Sequence, residues 1–228
     1  MKEFDKDDTI CFETSDLRVF PIPIRLEEIN QFLFTFSNVK NLSKEEIIAL
    51  AFKFHSNGNI EQAIKYYKYF IERGFQDPRI LSNSGVLLQK KGDIQQAIKL
   101  YKESIRIFPN NSEAYCNLGA LYRDEHDLNN AQLYTRKAIE LNPNFSVAYF
   151  NLGGILKLNG NLKESELNTR KAIDLNPNFS EAFYSLGNLM REIGDLNKAE
   201  VYTRKAIELN NNFAEAYSNL GNIFNDSG

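Results

Sequence analysis

Side chains that could act as nucleophiles, general bases or metal ligands are sparse in this chain, and their spacing keeps them apart. His55 and His126 form no pair at helical spacing, and neither Cys11 nor Cys116 stands near a plausible base. No glycine-rich loop ending in Lys and Ser or Thr is present to cradle a phosphate. Asp124-Glu125-His126-Asp127 holds metal-compatible groups, but in a stretch that reads as a solvent-facing turn, and His55 is expected at the surface beside another turn. Two cysteines so distant fit reduced thiols better than a disulfide framework. These residues imply no catalytic site, no metal and no cofactor. What recurs instead is "YTRKAIELNPNF" from Tyr134 to Phe145, nearly repeated from Asn168 to Phe179 and from Tyr202 to Phe213. A hydroxyl, a guanidinium and an ammonium used three times could be a reactive motif or part of a structural unit, and the elements that carry them decide which.

Gly85, Gly119, Gly153, Gly187 and Gly221 are 34 residues apart, with Ala51 one step earlier. Four residues before this ladder stand Leu81, Tyr115, Tyr149, Phe183 and Tyr217; three residues after it stand Leu88, Tyr122, Leu156, Met190 and Phe224. With Leu118, Leu152, Leu186 and Leu220 directly before the glycine, the spacing is one face of a helix. Seven residues after the ladder, Gly58, Gly92, Gly160 and Gly194 suit a left-handed helix end. Asn59, Asp93, Asp127, Asn161 and Asp195 follow directly and suit the N-cap of a second helix. Small residues at Ala63, Ala97, Ala131, Ser165 and Ala199, and again at Ala138, Ala172 and Ala206, let that helix approach the ladder closely. Pro109, Pro143 and Pro177 stop it, and Ser112, Ser146 and Ser180 are expected to cap the next first helix. One helix pair cannot bury its own stripe, so neighbours must stack. The Thr, Arg and Lys of the repeated motif are then expected on the outward, solvated face.

The composition is that of an ordinary folded protein: of 228 residues, 43% are hydrophobic and 25% charged. Lys and Arg total 27 against 30 Asp and Glu, and a net charge of −3 offers no general attraction to nucleic acid or an acidic membrane surface. No apolar run approaches the roughly 18 residues of a membrane helix, and "MKEFDKDD" is too acidic to begin a signal peptide, so a cytoplasmic location is expected. Asn144-Phe-Ser146 and Asn178-Phe-Ser180 match the glycosylation sequon only because both arise from the repeat's exit turn.

The succession of an aromatic, Leu-Gly, a second large residue, two alanines and a proline, from Pro78 to Asn211 with a weaker copy from Lys44 to Asp77, resembles the tetratricopeptide repeat family. Leu, Tyr or Phe replaces the family's tryptophan, His126 stands in place of a turn glycine, and Asn211 in place of the exit proline. The resemblance implies an all-α fold, a right-handed α-solenoid of helix-turn-helix units at 44–77, 78–111, 112–145, 146–179 and 180–213 with a partial unit at 214–228. It also implies a protein-interaction scaffold whose first helices line a concave groove.

On the same resemblance, the residues two before the ladder face that groove: Asn83, Asn117, Asn151, Ser185 and Asn219. The row is similar to the asparagine ladder of protein O-linked N-acetylglucosamine transferases. An amide carries both a donor and an acceptor, so such a row could hydrogen-bond an extended peptide backbone. Asn188 and Asn222 lie beside it; Arg123, Lys157 and Arg191 add cations that would favour an acidic partner, and Phe150 and Tyr184 offer apolar anchors. A structural use is open for the same residues, with asparagines bridging neighbouring first helices and the cations paired with Asp124, Glu192 and their neighbours. The lysines with which chaperone-binding members clamp a C-terminal carboxylate are absent.

Residues 1–43 do not follow the repeat. "TICFETSDLRVFPIPI" and "FLFTF" read as strand candidates, expected to cover the apolar end of the stack or to pair with another subunit. At the other end Tyr217, Leu220, Ile223 and Phe224 look like core residues without a second helix, which is expected of a fragment of a longer protein or of an end that stacks on another chain. Three functions follow: a scaffold binding a protein or extended peptide, the substrate-recruiting N-terminal region of a longer glycosyltransferase or sulfotransferase, and, against the acidic balance, a helical-repeat RNA binder.

Overall fold

The computed structural model describes residues 42–227; the strand candidates and end-covering role expected of the N-terminal segment lie outside the described residues. Among these residues there are eleven α-helices and no strand. They divide into two compact units, one reaching to Pro109 and one beginning at Asn110. The first holds α1 (Lys44–Ser56), α2 (Ile60–Glu72), α3 (Pro78–Lys90) and α4 (Ile94–Ile107). The second holds α5 (Ser112–Asp124), α6 (Leu128–Leu141), α7 (Ser146–Leu158), α8 (Leu162–Leu175), α9 (Ser180–Glu192), α10 (Leu196–Leu209) and α11 (Ala214–Asp226). In each unit, consecutive helices pack as pairs and the pairs stack. None of the helices is long and apolar enough to cross a membrane.

The turn within each pair is built as its residues dictate. Gly58, Gly92, Gly160 and Gly194 adopt φ between 71° and 84°, and His126 takes the same left-handed place at φ 61°. The five side chains that follow then cap the second helix, each accepting from a backbone N–H three residues on, as Asp127 does from Asn130 at 3.1 Å. At the exit, Asn142 and Asn176 fold back to accept from the N–H of Asn144 and Asn178 around the intervening proline. Asn210 accepts from Asn212 at 3.0 Å in the same way, so Asn211 replaces proline without loss of the turn.

The expected serine caps are corrected. Ser112, Ser146 and Ser180 are the first helical residues, and the cap positions fall to Asn111, Phe145 and Phe179. Only Asn111 among these offers a side-chain bond, from Ala114 N–H at 3.3 Å. Phe145 instead contributes its ring to a buried cluster with Cys116, Ala138 and Ala148. Apolar burial takes the place of a polar cap there.

The repeated motif is also oriented differently from the expectation. Its threonines do not face solvent: Thr135, Thr169 and Thr203 are buried at 0, 1 and 0% exposure, each against the ladder glycine of its own pair. A β-carbon on Gly187 would stand 2.5 Å from the Thr203 hydroxyl and 3.2 Å from the Ala199 carbonyl. In the first unit Tyr101 fills the corresponding place beside Gly85. The outward reading holds for the charged pair: Arg136 reaches Glu164 at 3.1 Å on the next second helix, and Arg170 donates to the Tyr202 hydroxyl at 2.7 Å.

His55 is also misplaced by the sequence reading. It is 3% exposed, in the core formed by Ile47, Ala51, Phe52, Tyr67, Phe70 and Ile80, with Nδ1 2.8 Å from the Tyr67 hydroxyl. Burial, helped by the Lys90 ammonium, pulls its pKa down to about 4. The imidazole is therefore neutral near pH 7, and it shares a single hydrogen bond with the Tyr67 hydroxyl. Burial pushes the Tyr67 hydroxyl pKa upward, and the neighbouring Asn83 amide opposes it in smaller measure without closing a well-formed hydrogen bond.

Candidate interaction surface

Most of the residues singled out from the sequence lie on the first helices of the second unit, where α5 packs beside α7 and α9 beside α11. Asn83 lies on α3 of the first unit. The asparagine row differs from the open row expected. Asn83 and Asn151 have 0% exposure, Asn117 3% and Asn219 4%; Ser185 is half-buried. The amides are turned into the packing between helices. Asn151 Nδ2 donates to Cys116 Sγ on the neighbouring first helix at 3.4 Å, and Asn219 Nδ2 donates to the Thr203 hydroxyl on the preceding second helix at 3.1 Å. The position two before the ladder points between adjacent helices, where a short amide can bridge, as Asn151 and Asn219 do.

The cations also have local partners. Lys157 Nζ lies 2.8 Å from a Glu192 oxygen, and Arg191 Nε lies 2.6 Å from an Asp226 oxygen, each pair joining one first helix to the next. Where Glu192 and Asp226 stand, the preceding unit has Leu158, 57% exposed, and Arg123 pairs with Asp124 on its own helix at 2.9 Å. Each cation of the row is thus matched by one carboxylate. The exposure of these side chains places the pairs in screened surroundings, where each contributes little to stability. A signal for this was present in the sequence: a cation four residues after one ladder glycine and an acid five residues after the next.

Phe150 and Tyr184 remain half-buried with part of their rings accessible. They occupy the same place in consecutive units, and each packs on the phenylalanine of the following exit turn, Phe150 on Phe179 and Tyr184 on Phe213, with centroids 4.9 Å apart. Asn188 is half-buried and Asn222 exposed. On the second helices α6, α8 and α10, Leu133, Leu167 and Val201 form a separate row at 62, 67 and 64% exposure, which the sequence reading did not single out.

Family models of the tetratricopeptide repeat match residues 45–70, 85–124, 112–145, 134–166 and 169–201. No curated protein matches the sequence. Among solved structures, TTC0263, a thermophilic TPR protein of Thermus thermophilus, is similar at 19% identity and a TM-score of 0.67, covering 80% of this chain and 99% of that one. MamA from Desulfovibrio magneticus RS-1 is 22% identical with a TM-score of 0.62, covering 75% of this chain and 97% of that one. The APC/C hetero-tetramer Cut9-Hcn1 is 15% identical with a TM-score of 0.77, covering 88% of this chain and 40% of that one. These likenesses establish the fold.

Proposed function

From a chain that belongs to the tetratricopeptide-repeat family, we propose a protein-interaction scaffold that holds an extended segment of a partner protein along the first helices of its second unit. Phe150 and Tyr184 carry this reading: partly accessible aromatic rings at equivalent places, each fixed from behind by an exit-turn phenylalanine, are rigid anchor sites. Asn188, Asn222 and the ion-paired Arg123, Lys157 and Arg191 border them and supply polar contacts. Asn151 and Asn219 support the surface from beneath by fastening first helices to their neighbours, and Asn117 is buried at the equivalent place. Because Arg123, Lys157 and Arg191 each face a carboxylate, the surface favours a segment of low net charge over an acidic one.

The test is selection of twelve-residue peptides on the full chain, followed by affinity measurement on the Phe150→Ala/Tyr184→Ala variant. Selected peptides should carry apolar residues without an excess of acids. Loss of both rings should weaken binding at least about tenfold, in line with truncating interface anchors, while helicity is retained. Unaltered affinity in the folded variant would place the site elsewhere.

A further inference from the structure

The first unit holds a cavity that the repeat pattern explains. Directly before the ladder residue the other repeats carry Leu50, Leu118, Leu152, Leu186 and Leu220, but the second repeat carries Ser84. Beside Ser84, among α2, α3 and α4, lies a cavity of about 310 Å³. Ile64 and Ile71 of α2, Leu88 of α3 and Leu100 of α4 give it apolar walls. Its size falls at the lower end of small-molecule sites, roughly 300 to 1,000 Å³. Ser84 is only 5% exposed, and its hydroxyl has no hydrogen-bond partner. A buried hydroxyl left in that state stands in want of a ligand or water.

The charged lining narrows the class. Lys68 and Lys99, on the two second helices that flank the cavity, line it together with Glu72. Two ammonium groups against one carboxylate leave a net positive charge, and neither lysine is held in an ion pair among the described residues. We propose that this cavity binds a small amphipathic anion, an alkyl carboxylate of medium chain length. Its chain lies against Ile64, Ile71, Leu88 and Leu100, and its carboxylate meets Lys68 and Lys99. The site is separate from the aromatic surface of the second unit and does not depend on it.

Titration of the full chain with sodium octanoate, followed by calorimetry and by amide chemical shifts, tests the assignment. One saturable site is expected, with the largest shifts at Ser84 and Leu88. Ser84→Leu, which restores the residue of the other repeats, should reduce affinity at least tenfold and raise Tm. Lys68→Gln/Lys99→Gln, a surface change that leaves the core intact, should weaken octanoate several-fold and leave 1-octanol binding as it was. Octanoate binding of undiminished strength in the folded Ser84→Leu variant, equal affinity in the double glutamine variant, or no saturable binding to the unaltered chain would each overturn the proposal.

Discussion

Gly153 and Thr169 stand so close that a β-carbon on the glycine would lie 2.5 Å from the threonine hydroxyl and 3.3 Å from the Ser165 carbonyl that accepts from it. Gly153→Ala should therefore destabilise the protein by about 1 to 3 kcal/mol, the usual cost of overpacking. Gly221, at the same ladder place on α11, has nothing within 4 Å of a built β-carbon. Gly221→Ala should be neutral or stabilising by up to about 1 kcal/mol, because alanine favours the helix. Urea denaturation of the two variants makes the comparison, and Thr169→Ala added to Gly153→Ala should recover part of the loss.

His126 offers the converse substitution. It holds φ 61°, where the equivalent turns carry glycine. His126→Gly should relieve left-handed strain and raise stability by up to about 1 kcal/mol, the unfolded-state freedom of glycine offsetting part of the gain. A Tm that falls in His126→Gly would mean the imidazole makes a contribution of its own.

The buried His55 gives a pH dependence of definite sign. Its folded pKa, about 4, lies below the ordinary value of 6.5, so between these values the unfolded chain binds more protons than the folded one. Its contribution is complete above pH 6.5 and is lost as pH falls toward 4. At pH 5 the loss should be about 2 kcal/mol, from 1.36 kcal/mol per pH unit. Urea midpoints at pH 7 and pH 5 measure it, and His55→Gln should flatten the difference while lowering stability at both pH values.

Lys157 and Glu192 make a screened, partly exposed pair between consecutive first helices. A double-mutant cycle with Lys157→Met and Glu192→Gln should give a coupling below about 1 kcal/mol that shrinks as salt is raised. A larger, salt-insensitive coupling would show the pair to be desolvated.

The periodic elements were legible because their determinants are local. All five caps from Asn59 to Asp195 fall where the sequence placed them, since a short acceptor after a left-handed residue needs only the next turn of helix. Thr135, Thr169 and Thr203 were misread because their hydroxylated side chains sit beside two charged residues in sequence but opposite a glycine in space. His55 was misread for the same kind of reason, as its partner Tyr67 lies on the other helix of the pair. The burial of the asparagine row and the pairing of Lys157 and Arg191 depend on the contact of neighbouring repeats, which spacing within one repeat does not disclose. The cavity at Ser84 could have been suspected from the break in a column of leucines.

On the proposed surface, Phe150 and Tyr184 are equivalent seats one repeat apart. A ligand displaced by a single repeat would find almost the same docking place again, so these rings alone allow it to slip like a rack on a pinion. Alignment must come from places where the periodicity fails: Cys116 where the next repeats carry aromatics, and Leu158 where a later one carries Glu192. Leu158→Glu, at a position 57% exposed, would erase one of those index marks and should yield a mixture of bound alignments rather than tighter attachment.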